Sequence, residues 1–274
     1  MFLMDEIIIE AGRCERQYWR DLWRYRELFY FLAWRDILVR YKQTVIGVAW
    51  AVIRPLLTML VLTFIFGKLA KMDSGGVPYP ILVFCGMLPW QFFSTAFSES
   101  GNSLVNNAGM ISKVYFPRLV VPVSSVITSF VDFLISAVLM VCVMIYYGYT
   151  PGPSVALLPV FVLLVFATAF GAGLWVSALM VRYRDFRFIV PFIVQFGLYV
   201  SPVGFSSHVV PAQWRLLYSI NPMVGVIDGF RYAILGEHTL YWPGFCISLV
   251  AVVLIIVTGI CYFRHTERTF ADII

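Results

Sequence analysis

Apolar stretches long enough to cross a hydrocarbon core dictate what this chain can become. Residues 44–67, 81–105, 119–147, 155–181, 188–205 and 245–263 form six of them, and a helix needs about 20 apolar residues, with a floor near 17, to span a bilayer. The charge sits almost entirely in the short segments between these runs. That partition predicts an all-α integral membrane protein with six transmembrane helices. A membrane barrel would instead show short alternating segments of roughly ten residues. Composition agrees, since 61% of the residues are hydrophobic and 13% charged, against about 45–50% and about 25% in soluble domains.

Charge then sets the orientation. Basic residues number eight in 1–43, two in 106–118, three in 181–187 and two in 264–274, while Lys68, Lys71, Arg215 and Arg231 fall in the opposite loops and Arg54 falls in a run. Cytoplasmic loops carry the excess of Lys and Arg. Both termini are therefore expected in the cytoplasm, with the chain multi-pass in the cytoplasmic (inner) membrane. No signal peptide is expected, because the charged first forty residues lead into a run long enough to remain as a span. The net charge of +5 reflects this orientation, so no nucleic-acid partner is expected.

Within 1–43 a helical wheel places Arg13, Arg16, Arg20 and Arg24 opposite Tyr18, Leu22, Tyr25 and Phe29. With Trp19, Trp23 and Trp34 along it, such a helix suits the headgroup boundary, although packing on a partner is the alternative. The basic cluster Arg35, Arg40 and Lys42 precedes the first run, which contains Arg54-Pro55. Charge in a bilayer is costly, so Arg54 is expected to face protein or water, as a pathway residue or as a helix-pairing one. Gln91, Thr95, Ser98, Glu99, Asn102 and Asn106 trace a polar stripe on the second run; Ser124, Thr128, Asp132 and Ser136 do so on the third. For Glu99 and Asp132, pairing with a buried basic group or a serine is preferred over a proton relay. The fifth run is barely long enough to span, contains Pro191 and Pro202, and carries Gln195, Tyr199 and Pro202 on one face. Residues 206–243 hold no uninterrupted span; two short helices, over 212–220 and 223–235, are expected at the outer interface or dipping back from it.

The chemistry that is missing narrows the function. No GxxxxGK[ST] loop is present to cradle a nucleotide, His208, His238 and His265 are far apart, and no nucleophile elbow or HExxH occurs. No catalytic residue, metal site or cofactor is expected in this chain. The five cysteines, four of them in or beside apolar runs, read as free, buried thiols. Polar faces on runs one, two, three and five beside the oily runs four and six imply a protein-lined conduit. Aromatic residues, 17% of the chain and including Trp50, Trp90, Phe92, Phe93, Phe196 and Tyr199, are candidates to stack on sugar rings, with core packing or an interfacial belt as the alternative for each.

The motifs together resemble a family. RYKQTVIGVAW at 40–50 with Arg54-Pro55, FPR at 116–118, RYRDFR at 182–187, SPV at 201–203, and Asn221-Pro222 with Arg231 and Gly236 downstream are similar to the permease subunits of polysaccharide-export ABC transporters, which move lipid-linked O-antigen, capsule or teichoic acid. The resemblance implies a homodimer of six-span subunits, an interface helix, and two separate ATPase subunits holding ATP and Mg. It implies a coupling segment in 106–118, with Asn106, Asn107, Ser112, Lys113, Tyr115 and Arg118 as contacts. It also implies a periplasmic gate within 212–235, to which Trp214, Asn221, Pro222 and Arg231 are assigned. Trp50, Arg54, Gln91, Phe92, Glu99, Phe196 and Tyr199 are the pore and substrate candidates, with no family pattern behind Arg54. The rivals are a permease for a drug or small amphiphile and a proton-driven secondary transporter using Glu99 and Asp132.

Overall fold

The computed structural model describes residues 15–42, 47–236, 240–267 and 270; it is helical, with no strand among the described residues. Helices α1 (Glu15–Arg24) and α2 (Arg26–Lys42) precede α3 (Gly47–Leu62), whose last turns widen into a π-helix over Thr63–Leu69. Next come α4 (Tyr79–Asn106), the single turn α5 (Ala108–Ile111), α6 (Val120–Tyr146) and α7 (Leu158–Arg182). The chain closes with α8 (Phe186–Val200), α9 (Ala212–Tyr218), α10 (Pro222–Leu235) and α11 (Trp242–Glu267).

Five of these helices are long and apolar enough to cross a membrane: α3 with its π extension, α4, α6, α7 with its leading 3-10 turn, and α11. The fifth apolar run departs from the predicted 188–205. Its helix α8 ends at Val200, because Pro202 drives Ser201 out of the α region to an extended ψ of 150°. At ~1.5 Å per residue α8 is roughly 22 Å long, short of a full crossing.

Burial ranks the helices. In α4, 72% of the apolar window is enclosed, against 11% in the first span. Helix α4 is the central post, packed chiefly on α6 and α7, and α7 in turn packs on α11. Rings of Phe92, Phe130, Phe133 and Phe166 interlock at centroid distances of 5.4–6.3 Å. The α7–α11 contact requires glycine, since a Cβ on Gly259 would stand 2.5 Å from the Gly171 carbonyl oxygen; small residues allow such close backbone approach in a membrane bundle.

The two short helices expected after α8 form, as α9 and α10, and α10 dips into the bundle between α4, α7 and α11. Its ends follow capping rules: the Asn221 side chain accepts from the Met223 N–H, Pro222 takes the first turn, and Gly236 closes it at φ +63°. The α1–α2 stripe of Tyr18, Leu22, Tyr25 and Phe29 packs on the chain's own inner core around Leu104, Phe116 and Phe263, leaving Trp19, Trp23 and Trp34 exposed. The cysteine reading is corrected. Cys85 is buried, but Cys142, Cys246 and Cys261 are free thiols on exposed helix faces, because an apolar run in a membrane has an outward face that periodicity does not mark as such. Cys14 and His238 lie outside the described residues.

Candidate functional site: a charged cavity between helices α2, α3, α4 and α6

Two carboxylates in apolar helices demand a cation, and α2 supplies it. Arg40 donates from one terminal nitrogen to Glu99 Oε1 at 2.6 Å and from the other to Asp132 Oδ2 at 2.5 Å. The neighbouring Tyr41 hydroxyl donates to the second Asp132 oxygen. Burial first, and then the Asp132 carboxylate, push the Tyr41 phenol above its ordinary range. It therefore stays a neutral donor throughout the physiological pH range. One guanidinium shared by two acids on different helices favours structural pairing over a proton relay for Glu99 and Asp132.

The cluster forms one wall of a cavity of about 350 Å³. Trp50, Arg54 and Pro55 border it from α3, Gln91, Phe92, Ser94, Thr95 and Glu99 from α4, and Ser129, Asp132, Phe133 and Ser136 from α6. Five of the seven pore candidates thus meet: Trp50, Arg54, Gln91, Phe92 and Glu99. Arg54 satisfies the requirement that a charged group in a span face a cavity. The lining carries two guanidiniums and two carboxylates, so its formal charges balance. Trp50 is 63% exposed, with its ring free to stack, whereas Phe92 belongs to the aromatic core and offers the cavity little of its surface.

Phe196 and Tyr199 are not brought to this cavity. They stand with Phe192 on the exposed face of α8, with the Phe192 and Phe196 rings stacked at 5.9 Å. The polar stripe of α6 also divides. Ser124 and Thr128 are buried and donate to the carbonyls of Val121 and Ser124 in their own helix, a local satisfaction that needs no water.

The coupling candidates separate into three environments. Asn106 and Asn107 border a second cleft, of about 530 Å³, facing α2; Asn107 Oδ1 accepts from Arg35 at 2.9 Å. Ser112, Lys113 and Tyr115 are exposed at the tip of the α5–α6 connection, held from below by buried Ile111, Phe116 and Leu119. Arg118 is an anchor, because its backbone N–H donates to Glu267 Oε1 at 2.9 Å. Arg264 lies over the Tyr18 ring at 4.4 Å, and burial together with Glu267 pushes the Tyr18 phenol upward. Helix α1, the 106–118 segment and the end of α11 therefore meet in one knot.

At the other end of the bundle the gate candidates are equally diverse. Trp214 is exposed on α9, and Pro222 opens α10. Asn221 Nδ2 donates to Ser201 Oγ at 3.0 Å. Arg231 is 1% exposed and donates to the Phe205 and Val203 carbonyls at 2.7 and 3.1 Å, while the Tyr79 hydroxyl donates to that of Gly204. The non-helical stretch 201–205 thus obtains the partners that backbone at membrane depth requires. Sequence reasoning missed Arg40 and Tyr41 as site residues; the signal available was that Glu99 and Asp132 each lacked a named cation.

The fold and the site define a multi-pass helical membrane protein built around a polar, charge-balanced intramembrane cavity. A family model described as "ABC-2 type transporter" matches residues 27–235, and the chain belongs to that family. It is 30% identical over 257 residues to an O-antigen export system permease protein of Myxococcus xanthus, covering 92% of this chain and 97% of that one. A Klebsiella pneumoniae protein of the same description is 28% identical over 88% of this chain and 92% of its own. The polysialic acid transport protein KpsM of Escherichia coli is 22% identical over 73% and 78%.

Proposed function

We propose that this chain is the membrane-spanning permease of an ABC exporter carrying a lipid-linked polysaccharide, of O-antigen type or a similar glycan, across the cytoplasmic membrane. Two copies form the passage, and two separate ATPase subunits, holding ATP and Mg, drive it. The observation that carries this reading is the cavity: Trp50 offers a ring to the C–H face of a sugar, while Gln91, Thr95 and Ser136 offer hydrogen bonds to its hydroxyls. The export permeases among its relatives, aligned over nearly the whole chain, support the cargo class. Pairing of two copies along α3 and α8 would bring the exposed Phe196 and Tyr199 to the common passage. The tip at Lys113 and Tyr115 would dock on the ATPase, and the excess of basic residues on one side supports cytoplasmic termini.

Deleting the gene in its own organism tests this. The expected result is loss of a surface polysaccharide, with its lipid-linked form accumulating inside, and restoration by the intact gene. An unchanged surface glycan would overturn the cargo, and ATP hydrolysis by the purified chain alone would overturn the division of labour.

A further inference from the structure

Resting on the reading of the cavity as part of a passage, the geometry points to a gate at its inner end. The cavity around Trp50, Arg54 and Gln91 and the cleft around Arg35, Asn106 and Thr128 share two bordering residues, Arg40 and Glu99. What divides the two spaces is thus the guanidinium held between Glu99 and Asp132. We propose that Arg40 is the bolt of this gate: its two ion pairs close the path from cleft to cavity, and the C-terminal half of α2 is the arm that withdraws it.

The two halves of the device are built differently. Both carboxylates stand on α4 and α6, which pack extensively on each other, so the anionic seat is fixed. The arm is held otherwise. Leu32 and Ala33 are the buried residues of α2, and none is buried in 34–42. Helix α2 lies chiefly against α6, and the ties of its C-terminal half include Arg35 to Asn107, Arg40 to Glu99 and Asp132, and Tyr41 to Asp132. The side chains of the ion pairs are 28%, 45% and 29% exposed. Contacts of this kind are weak because water competes for both partners, and segments with few buried apolar contacts open first. Helix α2 also shares a core with Ile111 and Phe116 of the coupling segment, so a displacement there reaches the arm through packed side chains. A static strut would stabilise the same helices without controlling access.

Cysteine accessibility separates gate from strut. The full chain, in native membranes with its own transporter partners and with its native cysteines replaced by serine, carries a Thr95→Cys reporter on the cavity wall. A membrane-impermeant methanethiosulfonate is applied from each side. Arg40→Gln, and Glu99→Gln combined with Asp132→Asn, are expected to raise labelling from the α2 side about tenfold by shifting the population toward the open form; Arg40→Lys should keep it low. Unchanged labelling in membrane-inserted variants would make Arg40 a strut and overturn the proposal. As a second measurement, Arg40→Cys and Asp132→Cys bridged by a short reducible linker should stop export until the linker is cleaved. Export continuing through the bridged protein would also overturn it. A changed labelling rate in a chain whose deletion spares every surface glycan supports the gate and sinks the cargo reading, so the two fail separately.

Discussion

Arg231 shows how much can rest on one side chain. Its guanidinium is buried and directs two donors to carbonyls of the broken stretch after α8. Charge-assisted hydrogen bonds of this kind are the stronger class, and removing the donor leaves buried acceptors unpaired. Arg231→Ala is expected to cost on the order of 3 kcal/mol, read as a clear fall in thermal midpoint of the detergent-solubilised protein. Arg231→Lys should recover part of it, since an ammonium lacks the planar fork. The sequence placed Arg231 correctly in a segment broken by proline and glycine, but could not tell a gate residue from a clamp, because its acceptors are carbonyls that no side-chain pattern marks. Arg40 was hidden for the opposite reason. Lying beside a span, it had an adequate explanation in membrane orientation, and its partners stand 59 and 92 positions away.

At the level of single elements, the segment 106–118, proposed to dock on the ATPase, yields the sharpest division. Lys113 and Tyr115 are exposed at its tip, whereas Arg118 is tied to Glu267 through its backbone. Lys113→Glu with Tyr115→Ala should reduce copurification of the ATPase and lower export about tenfold, as loss of a central contact does at an interface, while leaving the thermal midpoint unmoved. Arg118→Ala, by contrast, should leave copurification largely intact. Equal effects of the two on docking would contradict the assignment. The runs for α4, α6, α7 and α11 were legible, each helix lying within a few residues of where length and hydropathy put it. The end of α8 was legible too, had Pro202 been weighed as a helix stop. The destination of the α1–α2 stripe was not, because periodicity reports that a face is buried and says nothing of what covers it.

For the molecule as a whole, stability comes from close helix approach more than from any one contact. Gly171 and Gly259 let α7 and α11 touch backbone to backbone, and a Cβ at Gly259 would collide with a carbonyl oxygen that cannot rotate away. Gly259→Val should destabilise the bundle by about 1–3 kcal/mol or more through overpacking, seen as aggregation on size-exclusion chromatography. Gly109→Ala, in open space, serves as the neutral control. The all-helical membrane architecture followed from run length and charge placement alone. The cavity did not, since polar stripes on α4 and α6 look alike whether their hydroxyls bond to their own carbonyls away from any cavity, as Ser124 does, or border open space, as Ser136 does.

The unequal enclosure of α3 and α4 bears on how such a protein changes over evolutionary time. Only Pro55 and Met59 are buried among the described side chains of α3, so within one copy Trp50 and Arg54 stand outside the framework that α4, α7 and α11 provide. On the proposed reading of the cavity, in which Trp50 meets the sugar, preference for one glycan over another would be rewritten at a few positions of a helix that contributes little to this chain's own core.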